Sequence, residues 1–329
     1  MLAQIEELQL EDFDEVTDLI DRCMRPGADL SMSEDFPLLV GRGALGRRFI
    51  IRSDGRIVSH VASRTAAVQL PNGRLLQCLN IGAVCTDPSA GGQGFASQLL
   101  EAQLRCAQEE GVELSMLWSE VDGFYERHGF ERAGGEARFM VSQEDLEGIQ
   151  PVPCRWMKIE DLPALLKLRA EDPCPLSRTS VDGHVLFTLP RSKTLVATQG
   201  LDVVAYLTIG KGLDFEGAIC EWAGNIQDVV GLLPTLLECE GLNSTLILGP
   251  SWHDAYGQAF RKLGCPYESG DMGMFKILNQ EALILAIDSP RFQIDPAGNS
   301  PSLECLIGGS QETLGRPILP FYVWGLDSM

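Results

Sequence analysis

The chain has 329 residues, 45% of them hydrophobic and 22% charged, a composition typical of a globular protein with two ordinary domains. Its formal net charge of −20 argues against nucleic-acid binding, because neutralising phosphates requires a basic surface. The charge either attracts a cationic substrate such as an amine or simply keeps the protein soluble.

The first fifteen residues are acidic and lack the basic and apolar regions of a signal peptide. No apolar run approaches the roughly 20 residues that a membrane-spanning helix needs. The ten cysteines are scattered without a CxxC pair, and several lie in apolar runs. Buried thiols in a reducing cytoplasm explain this pattern better than disulfides or zinc ligands do. We therefore expect a cytoplasmic protein with no metal site and no membrane partner.

The first 145 residues alternate between strand and helix patterns. A strand is predicted near residues 5–10, and apolar residues at helical spacing predict a helix over 12–24. Turn residues separate three further predicted strands, at 47–52, 57–68 and 75–86. The remaining predicted elements are a helix over 93–110, a strand over 112–118, a short helix over 124–128, and one or two strands over 130–141.

The pattern begins again after a proline-containing linker at 150–153. The segment Leu10-Glu11-Asp12-Phe13 is echoed 149 residues later by Ile159-Glu160-Asp161-Leu162. The elements that follow keep the same order: strands over 194–198, 203–209 and 216–222, a helix over 227–238 interrupted by Pro234, and a strand over 244–248. This order favours a tandem duplication with domains 1–149 and 150–280. We expect the short tail, 281–329, to pack across both.

A glycine-rich turn lies between a predicted strand and a predicted helix, at Gly91, Gly92, Gln93 and Gly94. Because Gly92 and Gly94 have no side chains, the phosphates of a ligand can approach the main chain closely. The unpaired N–H groups and positive dipole end of the following helix favour an anion there. A plain tight turn is the alternative, since a glycine cluster alone is a weak signal. Gly82 in the preceding strand supports the ligand site, because such a glycine often marks a bulge or a close backbone approach.

With a later segment, this turn resembles the GNAT superfamily of N-acetyltransferases. The family's acetyl-CoA motif is an apolar strand, a proline, then Arg or Gln-x-x-Gly-x-Gly or Ala at the start of a helix. Here the strand is 81–84, the proline is Pro88, and the turn runs from Gly91 to Ala96. The later family motif, Phe-Tyr-x-x-x-Gly-Phe, is matched by Phe124, Tyr125, Gly129 and Phe130.

The resemblance is specific over about residues 75–145 and less specific over 1–145. It implies an α/β (α+β) fold of two tandem GNAT-like domains, each a mixed, mostly antiparallel twisted sheet flanked by helices. Gly91 departs from the family's Arg or Gln, which removes one side-chain contact to phosphate.

The resemblance also implies site residues. The cofactor, acetyl-CoA, would bind as co-substrate at Ala83, Val84, Thr86, Gly91, Gly92, Gln93, Gly94, Phe95, Ala96 and Ser97. The Val84 N–H would polarise the thioester carbonyl, which helps if it points to where the oxyanion develops. Tyr125 would protonate the departing CoA thiolate as a general acid. The competing interpretation is a tyrosine that only packs with Phe124 and Phe130.

The general base stays open between Glu120, His60, the terminal carboxylate of Met329, and water. Histone-type members carry a carboxylate where this chain has Cys78. The segment from Ser119 to Tyr125 is similar to that of tandem, Eis-like members, in which the terminal carboxylate is the base. That role would require Met329 to reach Tyr125.

The second copy is predicted to be inactive. Its echo of the tyrosine segment places Phe260 where Tyr125 stands, so the proton donor is missing. Its strand-to-helix junction, at Gly224-Asn225, has one glycine and no Gly-x-Gly, and Glu221 nearby adds negative charge.

These observations predict an N-acetyltransferase that transfers acetyl from acetyl-CoA to a primary amine by direct attack in a ternary complex. The acceptor is expected to be a cationic small molecule or protein amine, and the chain is a possible homo-oligomer. The alternatives are a non-catalytic acyl-CoA-binding sensor and a structural partner protein.

Overall fold

The computed structural model describes residues 3–289, 302–309 and 316–328. The predicted elements of the first half lie within a few residues of their expected positions, whereas two short helices between residues 32 and 40 were not predicted. Its strands are β1 (Ile5–Glu7), β2 (Arg47–Ser53), β3 (Arg56–Gln69), β4 (Leu75–Thr86), β5 (Leu114–Leu117) and β6 (Glu131–Ser142). Its helices are α1 (Phe13–Met24), α2 (Met32–Asp35), α3 (Pro37–Val40), α4 (Phe95–Glu109) and α5 (Asp122–Glu126).

The second half repeats this order. Its strands are β7 (Cys154–Trp156), β8 (Lys193–Gln199), β9 (Asp202–Ile209), β10 (Ala218–Gly224), β11 (Ser244–Pro250) and β12 (Tyr267–Ile277). Its helices are α6 (Leu162–Arg169), α7 (Ser180–Phe187), α8 (Ile226–Glu240) and α9 (Asp254–Leu263), followed by α10 (Gln280–Ile287) and α11 (Leu303–Ile307). Within the described part of the chain, no helix combines the length and the apolarity needed to cross a bilayer.

Helix α8 runs through Pro234 without a break, although the sequence predicted an interruption there. Proline removes one helical hydrogen bond and costs about 3 kcal/mol. Four leucines around it, Leu232, Leu233, Leu236 and Leu237, are almost completely buried. Each fully buried leucine contributes about 1.5–3 kcal/mol, so burial outweighs the proline.

Two further features support a duplication. In each half the first strand is followed by a 3-10 helix, Leu10–Asp12 or Ile159–Asp161, that runs directly into the next α-helix. Each half also has a left-handed glycine at or shortly after the end of the helix before its last strand, Gly129 with φ 80° and Gly264 with φ 81°.

The strands form one twelve-stranded sheet in the order β1-β2-β3-β4-β5-β12-β6-β11-β10-β9-β8-β7. Among the described neighbours, β4–β5 and β10–β11 are parallel and the other pairs are antiparallel. The fold is therefore the mixed, mostly antiparallel sheet that the sequence predicted.

The two halves exchange their last strands within this sheet. β12 of the second half lies beside β5, with Met274 opposite Leu117. β6 of the first half lies beside β11, with Arg138 opposite Leu248. The two sheets that we expected thus join into one. The domain boundary at 149/150 stays a prediction, and three strand pairings connect the residues on its two sides.

Two apolar clusters hold β4 in place. On one side, Val16, Leu19 and Ile20 of α1 pack with Ala83 and Cys85. On the other side, β4 packs with α4 and with the segment around Tyr125, through residues that include Ile81, Leu99, Leu100 and Phe130. Apolar side chains therefore cover the carboxyl end of β4 on both faces of the sheet.

The described tail residues contact both halves. The carbonyl of Ala286 accepts a hydrogen bond of 2.9 Å from Asn72, in the β3–β4 hairpin. At the other end, Asp327 pairs with the buried guanidinium of Arg178, which also holds Glu221. The ammonium of Lys211 donates to the carbonyls of Gly325, Leu326 and Ser328.

Candidate active site

The carboxyl end of β4 has an open main-chain edge. β4 pairs with the parallel strand β5 only as far as Asn80, which lies opposite Met116. β4 continues to Thr86, so within the described residues no strand pairs with 81–86 on the β5 side. An open strand edge offers N–H and C=O groups that an extended ligand can pair with.

A bulge interrupts β4 in this open region. His60 pairs with Cys85 and Ala62 pairs with Gly82, so Ala83 and Val84 oppose a single residue of β3. Ala83 has φ 50°, in the left-handed region that an alanine rarely adopts. The sequence pointed to Gly82, whereas the structure places the unusual backbone one residue later.

The turn after β4 presents a row of unpaired amides. Gly92 and Gly94 have φ 75° and 76°, and neither has an atom within 4 Å of where a Cβ would stand. The first helical hydrogen bond of α4 joins the N–H of Gln98 to the carbonyl of Gly94 at 3.0 Å. Among the described residues, no group accepts from the N–H groups of residues 92–97.

These amides fit a diphosphate. Residues 91–94 are exposed, and they lead directly into the amino end of the fifteen-residue helix α4. Unpaired amides and the helix dipole both favour an anion at this place. The one nearby carboxylate of the turn, Asp87, is held by the N–H and hydroxyl of Ser89 and by Arg22, contacts that lower its pKa.

Tyr125 lies beside the open end of β4. Its ring packs edge-on against Phe124 and Phe130, with centroids 4.9 and 6.0 Å away. Burial raises the pKa of its phenol to about 12, with a smaller contribution from Cys85. No described residue hydrogen-bonds to the hydroxyl, and it is not among the fully enclosed polar atoms that lack a partner. The ring is thus fixed by packing while the hydroxyl is left for a ligand.

The part of the chain that contains this site matches a known protein family. Residues 4–133 match the family model for the acetyltransferase (GNAT) domain. This part of the chain is therefore similar to GNAT acetyltransferase domains. No curated protein sequence matches the chain.

Solved structures share the fold over most of this chain. A probable N-acyltransferase from Enterococcus faecalis has 15% identity and a TM-score of 0.71, covering 87% of this chain and 75% of its own. A GCN5-related N-acetyltransferase from Anabaena variabilis has 16% identity and a TM-score of 0.68, with the same coverage. Eis1 from Mycobacterium abscessus has 16% identity and a TM-score of 0.59, covering 85% and 75%. At these identities the likeness establishes the fold.

The remaining predicted binding residues surround the open edge. Thr86 shares a 2.8 Å hydrogen bond with the hydroxyl of Ser59. Ser97, in the first turn of α4, lies 3.1 Å from Nε2 of His128. Phe95, Ala96 and Ser97 are half-buried, whereas Gln93 is exposed. The structure therefore brings all of the residues predicted for the cofactor to one end of β4.

The candidates for the general base differ in their exposure to solvent. His60 is completely buried, and burial lowers its pKa to about 4. Cys78 is also completely buried, and burial raises the pKa of its thiol. Both are thus shielded from an incoming amine. Glu120 is exposed at the end of the loop before α5. Met329 lies outside the described residues.

The second copy has lost the turn. Only Asn225 separates β10 from α8, and its side chain caps that helix by accepting from the N–H of Gln227 at 2.8 Å. Phe260 takes the position of Tyr125: the N–H of Cys265 bonds to its carbonyl, as the N–H of Phe130 bonds to that of Tyr125. Phe260 is fully buried and stacks on Phe139. This copy has neither free turn amides nor a phenol in the corresponding places.

The supporting roles of two residues were not evident from the sequence, although both had been named as candidates for the site. Ala83 adopts the strained backbone of the bulge, and His60 lies beneath it. A lone histidine on a strand and an alanine beside a glycine carry no local pattern, so their connection depends on the pairing of β3 with β4.

Proposed function

We propose that this chain is an acetyl-CoA-dependent N-acetyltransferase whose active site lies in the first half. The observation that carries the proposal is the row of unpaired amides at residues 92–97, next to the open edge of β4. A coenzyme with a diphosphate and an extended amide-containing arm is complementary to both features. When bound, it supplies an acetyl group activated as a thioester.

The main chain does the binding. The turn amides hold the diphosphate, and residues 83–86 pair with the extended arm as an added strand. The bulge turns Val84 out of the regular ladder, which leaves its N–H to polarise the thioester carbonyl. Binding therefore needs no arginine at position 91, where this chain has Gly91.

Tyr125 donates the proton that the leaving thiolate needs. With a pKa raised to about 12, the phenol keeps its proton at every pH at which the protein is expected to work. Activity should therefore rise with pH as the acceptor amine loses its proton. It should not fall again through ionisation of Tyr125 below about pH 11.

The acceptor in this proposal is a cationic primary amine. The net charge of −20 attracts such molecules to the protein. Because His60 and Cys78 are enclosed, water, Glu120 or the terminal carboxylate remains to take the proton of the amine.

The test is acetyl transfer with wild type and Tyr125→Phe. Purified protein is incubated with acetyl-CoA and a panel of polyamines, aminoglycosides, amino acids and a lysine peptide, and released thiol is measured. We expect Tyr125→Phe to lower kcat about 100- to 10,000-fold. Its affinity for acetyl-CoA should stay within about threefold.

Tyr267→Phe is the matched control, since it removes a phenolic oxygen from β12 in the second half. It should leave kcat unchanged. Wild type that binds acetyl-CoA without acetylating any amine would support the acyl-CoA sensor instead. Wild type that binds no acetyl-CoA would support a structural partner protein.

A further inference from the structure

Two cysteines meet at the carboxyl end of β4, on the α1 face of the sheet. Cys23 is near the end of α1, and its Sγ lies 3.7 Å from the carbonyl of Thr86. Cys85, the neighbour of Thr86, is 6% exposed and belongs to the apolar cluster against which Cys23 packs. Both side chains are free thiols. Helix and strand thus bring together two sulfurs that are 62 positions apart in the sequence.

The two thiols differ in reactivity. A hydrogen bond from Cys85 lowers the pKa of Cys23 to about 7, while the same contact and burial raise the pKa of Cys85. Cys23 is therefore the thiol of the pair that ionises more readily, and it is half-buried rather than enclosed. In contrast to Cys23, the cysteines Cys174, Cys220 and Cys265 have pKa values that burial raises.

The pair adjoins the proposed catalytic groups. Cys85 follows Val84 directly in the bulged strand. Any displacement of Cys85 therefore moves the main chain that carries the Val84 N–H.

We infer that Cys23 and Cys85 form a reversible disulfide that switches acetyl transfer off. The effect on activity rests on the function proposed above, whereas the formation of the bond does not.

A hydroperoxide is the oxidant that fits this pair. The Cys23 thiolate attacks the peroxide oxygen and becomes a sulfenic acid, with water or an alcohol as the leaving group. The Cys85 sulfur then attacks the Cys23 sulfur and expels water, with its proton going to the departing oxygen. Two thiols lose two electrons in total, the peroxide gains them, and a dithiol reductant reverses the change.

Closure should disturb the site because a disulfide has fixed dimensions. Its sulfurs must come to about 2.05 Å, well inside the separation of two hydrogen-bonded thiols. The shift draws β4 towards α1 beside Val84. A displacement of about 1 Å in an active site can lower the rate about 100-fold.

The test treats the full-length protein with a small excess of hydrogen peroxide, followed by alkylation, intact mass and non-reducing peptide mapping. We expect a Cys23–Cys85 peptide, a loss of two alkylatable thiols, and a fall in acetyl transfer of at least tenfold. Dithiothreitol should restore the activity.

Cys23→Ser should keep its own untreated activity after the same treatment. Cys239→Ser is the control, because it removes an exposed cysteine and should leave the response unchanged. Absence of the linkage, or a linkage without loss of activity, would overturn the switch while leaving the acetyltransferase proposal standing. A linkage in a protein that transfers no acetyl group before oxidation would contradict the proposed function instead.

Discussion

His60 pairs with Cys85 across β3 and β4, and its imidazole lies beneath the bulge. Nδ1 is 2.8 Å from the carbonyl of Ala83, and Nε2 has no partner among the described residues. Burial, reinforced by the charge of Arg48, lowers the pKa to about 4. The ring is therefore neutral and donates from Nδ1, which holds the unusual backbone of Ala83 in place. We interpret His60 as a residue that positions Val84.

This burial predicts how stability depends on pH. In the unfolded chain a histidine gains its proton near pH 6.5, whereas folded His60 stays neutral down to about pH 4. Between these values the unfolded state binds more protons, so the free energy of unfolding falls as pH decreases. The contribution is about 3 kcal/mol in total.

Denaturant unfolding of wild type and His60→Gln between pH 7 and 4 measures this contribution. The variant should be less stable at pH 7 but should lose less stability towards pH 4. His184→Gln, which changes an exposed histidine, should follow wild type. Parallel curves for wild type and His60→Gln would show that His60 is not buried in its neutral form.

At the scale of elements, the turn between β4 and α4 is built by backbone conformation. Gly94 is the residue before the helix, and its left-handed φ directs the following amides outward. An alanine there would meet no steric clash, because the space beside Gly94 is open. Only the backbone conformation would resist it, at about 1–2 kcal/mol.

Gly94→Ala therefore separates the conformation of the turn from its packing. We expect the KM for acetyl-CoA to rise at least tenfold, because relaxation of φ turns the amides away from the diphosphate. Gly73→Ala is matched to it, since Gly73 has φ 81° and open space but lies in the β3–β4 hairpin. Gly73→Ala should lower the stability measured by thermal unfolding by a similar amount, and it should leave the KM for acetyl-CoA unchanged. Equal KM values for both variants would remove the turn from the binding site.

At the scale of the whole molecule, the exchange of β6 and β12 makes each half depend on the other. β12 pairs with both β5 and β6, and β6 pairs with both β12 and β11. Phe139 of β6 packs among Tyr256, Phe260 and Tyr267 of the second half. Neither half can bury its last strand alone.

Separate expression of residues 1–149 and 150–329 tests this dependence. Each fragment alone should fail to give a monomer with cooperative unfolding, because its central strands lack their neighbours. Co-expressed fragments should associate, and the full chain nicked near residue 149 should stay together in size-exclusion chromatography. A stable monomer of residues 1–149 would instead support an independent first domain.

Local patterns alone were enough to predict most elements and much of the candidate site. Alternating and helical periodicity placed β2 to β5 and α4, because these signals depend on neighbouring residues. Gly92 and Gly94 marked the turn, and Tyr125 stood in a motif of fixed spacing. The wrong prediction at Pro234 came from the same local reasoning. The cost of a proline in a helix can be read from the sequence, whereas the burial that offsets this cost cannot.

By itself, the sequence determined the order of elements, the duplication, the glycine turn and the loss of Tyr125 from the second copy. Tertiary structure decided which strands lie side by side, that Ala83 rather than Gly82 bulges, and that Cys23 faces Cys85. It also decided that the tail reaches Arg178 and Lys211. These features depend on contacts between residues far apart in the chain, whose free energy appears only when the sheet is assembled.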